Sequence, residues 1–63
     1  MTYAFFGYDP VPLFVRHDID IHVGDLVSYD NKLYRVDSRT YESEDDRFKI
    51  SIRFVGNIHR ANK

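Results

Sequence analysis

The 63-residue chain contains no cysteine. It therefore has neither a disulfide nor a thiolate zinc site to support its core, and a chain this short hides only about 60% of the surface that its unfolded form exposes. The apolar N-terminus, MTYAFFGYDPVPLFV, lacks a basic flank and is interrupted by two prolines, so we expect neither a signal peptide nor a membrane-spanning helix there. We expect one cytoplasmic domain over residues 1–63 and, because the chain begins with Met, a whole small protein.

The chain also lacks a dominant charge and a helical pattern. Nine Lys and Arg residues face ten Asp and Glu residues, so the net charge of −1 does not point to nucleic acid. No window shows a sustained apolar period of 3.6 residues, whereas alternation with a period of two recurs. These patterns predict an all-β protein of four or five short strands with an aromatic-rich core.

Three segments carry the strand signals. Residues 15–23 alternate so that Val and Ile point one way and Arg, Asp and His the other, which predicts a half-buried strand. Residues 26–29 and 33–36 flank Asp30-Asn31-Lys32 and predict a tight hairpin, whose second strand runs to about residue 41.

The remaining segments complete the prediction. Four acidic side chains within residues 42–46 predict a solvated loop, and alternation over residues 47–54 predicts the next strand. Residues 57–63 form a short basic tail. Residues 1–14 are an aromatic segment whose path the pattern leaves open, since Pro10 and Pro12 confine any strand there to a sheet edge.

The stretch VGDLVSYDNKLYRV, residues 23–36, resembles the hairpin of SH3-like small β-barrels. This group includes KOW-type and Tudor-type modules and small phage or bacterial accessory proteins. The resemblance covers about a quarter of the chain and implies a small SH3-like barrel, or a strongly bent antiparallel sheet, that acts as a binding module. The tryptophan of the signalling SH3 groove has no counterpart here, because the chain has no Trp.

Asp18, Asp20 and His22 share a face of the first predicted strand and could in principle ligate a divalent ion. No further ligand is evident nearby, so we interpret the three side chains as a solvated strand face that discourages edge-to-edge aggregation. We expect no metal and no other cofactor. No serine carries a nucleophile signature, and we expect no enzymatic activity.

Direct pairing of the last two strands predicts a basic face. It places Arg39 opposite Lys49, Arg35 opposite Arg53, Asp37 opposite Ser51 and Tyr41 opposite Arg47. The other face then carries a predicted core of Tyr34, Val36, Phe48, Ile50, Ile52 and Phe54. Like charges directly opposite one another repel. An anionic partner would relieve the repulsion. The alternative is an ordinary solvated face neutralised by Asp37 or by the acidic loop. The candidate partner- or nucleic-acid-binding residues are Arg35, Arg39, Tyr41, Arg47, Lys49 and Arg53.

The aromatic N-terminal segment supplies a second candidate surface. Its aromatic side chains either fill the core or, where the core cannot hide them, form a partner or dimer patch. The residues of that candidate patch are Tyr3, Phe5, Phe6, Tyr8 and Phe14.

Three functions follow as hypotheses. The first is a non-enzymatic protein-interaction module, either an adaptor or an inhibitor of a larger host or phage machine. Its partner is another protein or, in a homodimer, a second copy of the chain. The second is a nucleic-acid-binding barrel that uses the basic face. The third is a structural subunit of a larger assembly. The sequence predicts no membrane partner.

Overall fold

Every regular element of the protein is a β-strand in the computed structural model, which describes residues 1–17 and 19–58. The strands are β1 (Thr2–Phe6), β2 (Phe14–His17), β3 (Leu26–Tyr29), β4 (Lys32–Glu42) and β5 (Arg47–Asn57). Within the described ranges there is no helix long and apolar enough to span a bilayer. The predicted all-β class is confirmed.

The five strands form one sheet in the order β2-β1-β5-β4-β3. Strand β1 pairs antiparallel with β2 and parallel with β5, so that Tyr3 lies opposite Phe48 and Phe5 opposite Ile50. The sheet is therefore mixed, whereas the sequence pattern predicted an antiparallel one. The difference arises because β1 lies between β2 and β5, beside a strand with which it shares no hairpin.

The sheet curls into a half-barrel, and side chains bring its two edges together. The ring of Phe14 on β2 stacks on the ring of Tyr29 on β3, with centroids 4.4 Å apart. Close by, Arg16 donates a hydrogen bond of 2.9 Å from Nη2 to the backbone carbonyl of Ser28. These contacts define an inner, concave face that holds the core and an outer, convex face.

The core lies on the inner face. Ile50, Phe5 and Val36 are fully buried, and burial of a side chain of this size stabilises the fold by roughly 1.5–3 kcal/mol. Phe54, a predicted core residue, is half exposed. The other members of the buried cluster are Tyr3, Ile21, Val27 and Ile52, with Phe14, Tyr34 and Phe48 packed against them.

The β3–β4 hairpin confirms the predicted turn. Its two-residue loop consists of Asp30 and Asn31, with φ of 54° and 62°. Positive φ at both positions is the type I′ conformation, which suits the right-handed twist of paired strands and which Asp and Asn tolerate well.

The long strand predicted over residues 15–23 is wrong in its second half. Strand β2 ends at His17, and of the described residues 19–25 only Ile21 is buried. A turn replaces the strand: the amide of Asp25 donates to the carbonyl of His22, and the amide of His22 donates to Asp25 Oδ2. Gly24 in this turn has a φ of 95°, which favours glycine.

A β-bulge at Asp37 interrupts the β4–β5 ladder. The predicted direct pairing holds at Arg35 and Arg53 and is confirmed there. Asp37 then has no opposite residue, because the flanking pairs are Val36↔Ile52 and Ser38↔Ser51. The predicted pairs that the bulge overturns are Asp37–Ser51, Arg39–Lys49 and Tyr41–Arg47.

The bulge moves side chains to the other face of the sheet, because successive residues of a strand point to opposite sides. Beyond it, Arg39 lies opposite Ile50 and Tyr41 opposite Phe48, both on the inner face. Lys49 remains on the outer face.

This register predicts a specific pattern of energetic coupling. In double-mutant cycles, Arg39→Ala and Phe48→Leu should couple by about 0.5–1 kcal/mol, because the guanidinium of Arg39 lies over the Phe48 ring. Arg39→Ala and Lys49→Ala should show no coupling. Urea unfolding of the three single variants, the two double variants and the wild type measures both cycles. A repulsive Arg39–Lys49 coupling, with none to Phe48, would contradict the bulged register.

Candidate interaction surface

The bulge divides the six residues of the predicted basic face between the two faces of the sheet. Arg39 and Tyr41 lie on the inner face. The outer face keeps the other four, and they do not form the continuous six-residue site that the direct register predicted. These four are Arg35, Arg47, Lys49 and Arg53.

Acidic neighbours neutralise much of the outer face. Arg53 donates from Nε to Oδ1 of the bulged Asp37 at 3.1 Å. Arg47 donates from Nε to Glu42 at 2.8 Å and has Asp45 within 3.7 Å. The hydrogen bond to Glu42 raises the pKa of Arg47, which keeps it charged. The repulsion between Arg35 and Arg53 is thus relieved within the molecule.

Two outer-face cations also cover an aromatic ring. The Nζ of Lys49 lies 5.1 Å from the centroid of Phe6, and the Cζ of Arg47 lies 5.6 Å from it. Their stems help to keep Phe6 buried on this side of the sheet. Among residues 1–17 and 19–58, neither Lys49 nor Arg35 forms an ion pair.

The predicted aromatic patch is not a single exposed surface. Tyr3, Phe5 and Phe6 are buried, and Phe14 is half-buried between the rings of Phe5 and Tyr29. The three β1 side chains fill the protein itself, because β1 lies between β2 and β5 and is covered on both faces. Tyr8 differs from them, since 99% of its surface is exposed.

A groove of about 440 Å³ opens at the end of the inner face next to Tyr8. Its floor is apolar, and two of its side chains, Leu13 and Phe54, are 39% and 49% exposed. Sequence reasoning missed this groove, because it depends on the parallel placement of β1 beside β5. The lining residues are Gly7, Tyr8, Asp9, Leu13, Lys32, Tyr34, Ile52 and Phe54.

The opposite end of the inner face is closed by a polar network. The Cζ of Arg39 lies 4.2 Å from the centroid of Phe48, and its Nη1 donates to Nδ1 of His22 at 3.1 Å. The Nε2 of His22 lies 2.9 Å from Oδ2 of Asp20, which requires the proton on Nε2. Arg39 is therefore engaged on both sides and does not project from a basic face.

The prediction that Asp18, Asp20 and His22 form a solvated strand face is confirmed only in part. Asp20 and His22 are exposed but lie outside any strand, Asp20 before the turn and His22 at its start, while Asp18 lies outside the described residues. Over residues 1–17 and 19–58, no three His, Asp or Glu side chains are grouped as metal ligands.

Tyr41 is held by the β4–β5 turn and not by a partner. Its hydroxyl donates a hydrogen bond of 2.7 Å to Oδ1 of Asp46. This hydrogen bond, followed by desolvation and the charge of Asp46, raises the pKa of Tyr41 above 10.0. The turn thereby fixes the aromatic ring against Phe48 at a centroid distance of 5.3 Å.

The Tyr41–Asp46 contact predicts a pH dependence in the alkaline range. Because the pKa of Tyr41 is raised on folding, the contribution of this contact to stability is fully present below pH 10.0 and is lost as the pH rises through the raised pKa. Asp46→Asn keeps a residue that tolerates the φ of 50° and should lower the pKa of Tyr41.

Titration of the Tyr41 Cζ resonance by NMR measures this shift. Asp45→Asn is the matched control, since Asp45 faces Arg47 instead. An unchanged Tyr41 titration in Asp46→Asn would contradict the assigned contact.

The fold and the groove define a small all-β protein with a curled five-stranded sheet. Comparison with protein-family models, with curated proteins and with solved structures found no match for this chain.

Proposed function

We propose that the protein is a non-enzymatic protein-interaction module that docks through the groove beside Tyr8. The observation that carries this proposal is the apolar groove itself, flanked by exposed aromatic and aliphatic side chains. Aromatic residues are enriched where proteins bind one another, and exposed apolar patches mark such sites. The resemblance of residues 23–36 to SH3-like binding modules supports the same function.

The chemistry of the groove favours recognition over catalysis. Its titratable side chains are Asp9, Lys32 and two tyrosines, and Asp9 lies exposed on the loop. Among the described residues, the lining includes no serine or histidine, the residues most often used as nucleophile and general base. An apolar floor with a polar rim suits one or two apolar side chains of a partner protein.

We further propose that the module works in the cytoplasm as an adaptor or as an inhibitor of a larger machine. The missing cysteines suit a reducing compartment. A groove of this size, on a domain this small, offers a single docking point and leaves the outer face free for a second contact.

A peptide library tests the docking function. We expect panning of random displayed peptides on the immobilised protein to enrich sequences rich in aromatic and aliphatic residues. Leu13→Glu places a charge in the groove wall and should weaken their binding by about tenfold or more, since an unpaired charge is costly to bury. Calorimetry with the synthetic peptides measures the change.

Leu26→Ser is the matched control for this experiment. Leu26 is an exposed aliphatic residue of β3 that is outside the groove, so its replacement should leave peptide affinity unchanged. Absence of any enriched peptide, or equal affinity for the Leu13→Glu variant, would contradict docking through the groove.

Nucleic-acid binding is the second candidate, and one observation favours it: within the described chain, Lys49 and Arg35 of the outer face have no acidic partner. The ion pairs of Arg47 with Glu42 and of Arg53 with Asp37 weaken the case for nucleic-acid binding, because only a small excess of positive charge remains to contact phosphates.

We therefore expect no binding of labelled single- or double-stranded DNA or RNA by fluorescence anisotropy, even at low salt. Salt-dependent binding that is lost in an Arg35→Glu/Lys49→Glu double variant, and retained in Leu13→Glu, would instead assign the outer face to nucleic acid and contradict the preferred function.

A further inference from the structure

We infer that the partner of the groove is a second copy of this chain, so that two molecules related by a two-fold axis each place Tyr8 in the groove of the other. The inference rests on the proposed function, because it names the partner of the same surface. It starts from the position of Tyr8, the most exposed aromatic side chain of the described residues, directly beside the apolar groove.

Tyr8 is carried on a restrained loop. Pro10 and Pro12 fix two of the backbone φ angles between β1 and β2. The amide of Leu13 donates a hydrogen bond of 2.7 Å to the carbonyl of Phe5, which closes the loop. A Cβ on Gly7 would stand 3.2 Å from Cδ1 of Leu13, so the loop is packed at its base. A loop whose backbone is already restrained loses little backbone conformational entropy on binding.

The groove offers the surface that such a ring requires. Its floor contains Ile52, and its wall contains the rings of Tyr34 and Phe54, which pack edge to face at 6.1 Å. A third aromatic ring adds favourable contacts to such a pair, beyond the area that it buries. Tyr8 stands at the rim of its own groove and, at 99% exposure, does not fill it, so the space is open to the ring of another molecule.

The charges at the rim favour a copy over an unrelated protein. Asp9 follows Tyr8 on the loop wall, and Lys32 lies at the start of β4 on the other wall. In a two-fold interface, residue i contacts residue j and j contacts i. The exchange of Tyr8 therefore brings Asp9 of each copy towards Lys32 of the other. The ion pair of Lys32 with Asp30 spans 3.6 Å between exposed side chains and is weak enough to be replaced.

The size of the contact sets the expected strength. A buried tyrosine hides roughly 150–250 Å² and covers a similar area of its groove, so two exchanged rings give a total of about 800 Å². This area lies below that of a standard stable interface, and we expect a weak, concentration-dependent dimer with a micromolar or weaker dissociation constant.

A complementation experiment tests the inference. Tyr8→Ser removes the ring and keeps the groove, whereas Leu13→Glu alters the groove and keeps the ring. Each variant alone should raise the dimer dissociation constant by about tenfold or more. An equimolar mixture of the two should form a heterodimer through the one intact ring-and-groove contact, with a dissociation constant below that of either variant alone.

Sedimentation equilibrium up to about 1 mM and native mass spectrometry of the mixture measure these constants. Leu26→Ser should dimerise like the wild type. Far-UV circular dichroism checks that each variant folds, and Phe54→Ser replaces Leu13→Glu if the latter unfolds.

The outcomes separate the inference from the proposed function. A monomeric wild type at the highest concentration, or a dimer that Tyr8→Ser leaves intact, overturns the inference. Binding of enriched peptides in the groove of that monomer would leave the proposed function standing. If the wild type neither dimerises nor binds such peptides, both the inference and the proposed function are overturned. Oligomers larger than a dimer would overturn the closed two-fold arrangement and favour a structural subunit of an assembly.

Discussion

One unpaired residue in the longest hairpin, Asp37, determines which face of the sheet each side chain in the second half of β4 occupies. The extra residue shifts the register by one and turns Arg39 and Tyr41 towards the core side. The same residue places its carboxylate beside Arg53, where it relieves the repulsion between Arg53 and Arg35. A single irregularity of the backbone thus removes two side chains from the outer face and neutralises another.

The two ends of the inner face differ as a result. At the β4–β5 turn, Arg39 covers the ring of Phe48 and is held by His22, so this end is closed by polar contacts. At the other end no such cover is present among the described residues, and the apolar floor meets solvent beside Tyr8. For this reason we propose the open end as the docking surface, whereas the charged outer face is largely neutralised by its own acidic neighbours.

Much of the fold could be predicted from local chemistry, because the Asp30-Asn31 turn and the alternation over residues 47–54 leave little choice. The bulge escaped prediction because both faces of β4 are polar around it. One signal was present: Val36 and Tyr41 are five positions apart, an odd spacing, so both can face inwards only if the register shifts. The groove depends on the non-local, parallel pairing of β1 with β5, for which the alternating pattern holds no information.

The register of β4 against β5 is the measurement that tests this account most directly. In a ¹³C,¹⁵N-labelled sample, we expect cross-strand nuclear Overhauser effects between the backbone protons of Thr40 and Lys49, and of Ser38 and Ser51. Effects that connect Arg39 with Lys49 would instead show an unbulged ladder. That result would return Arg39 to the outer face and contradict the division of the molecule into a satisfied outer face and an open inner groove.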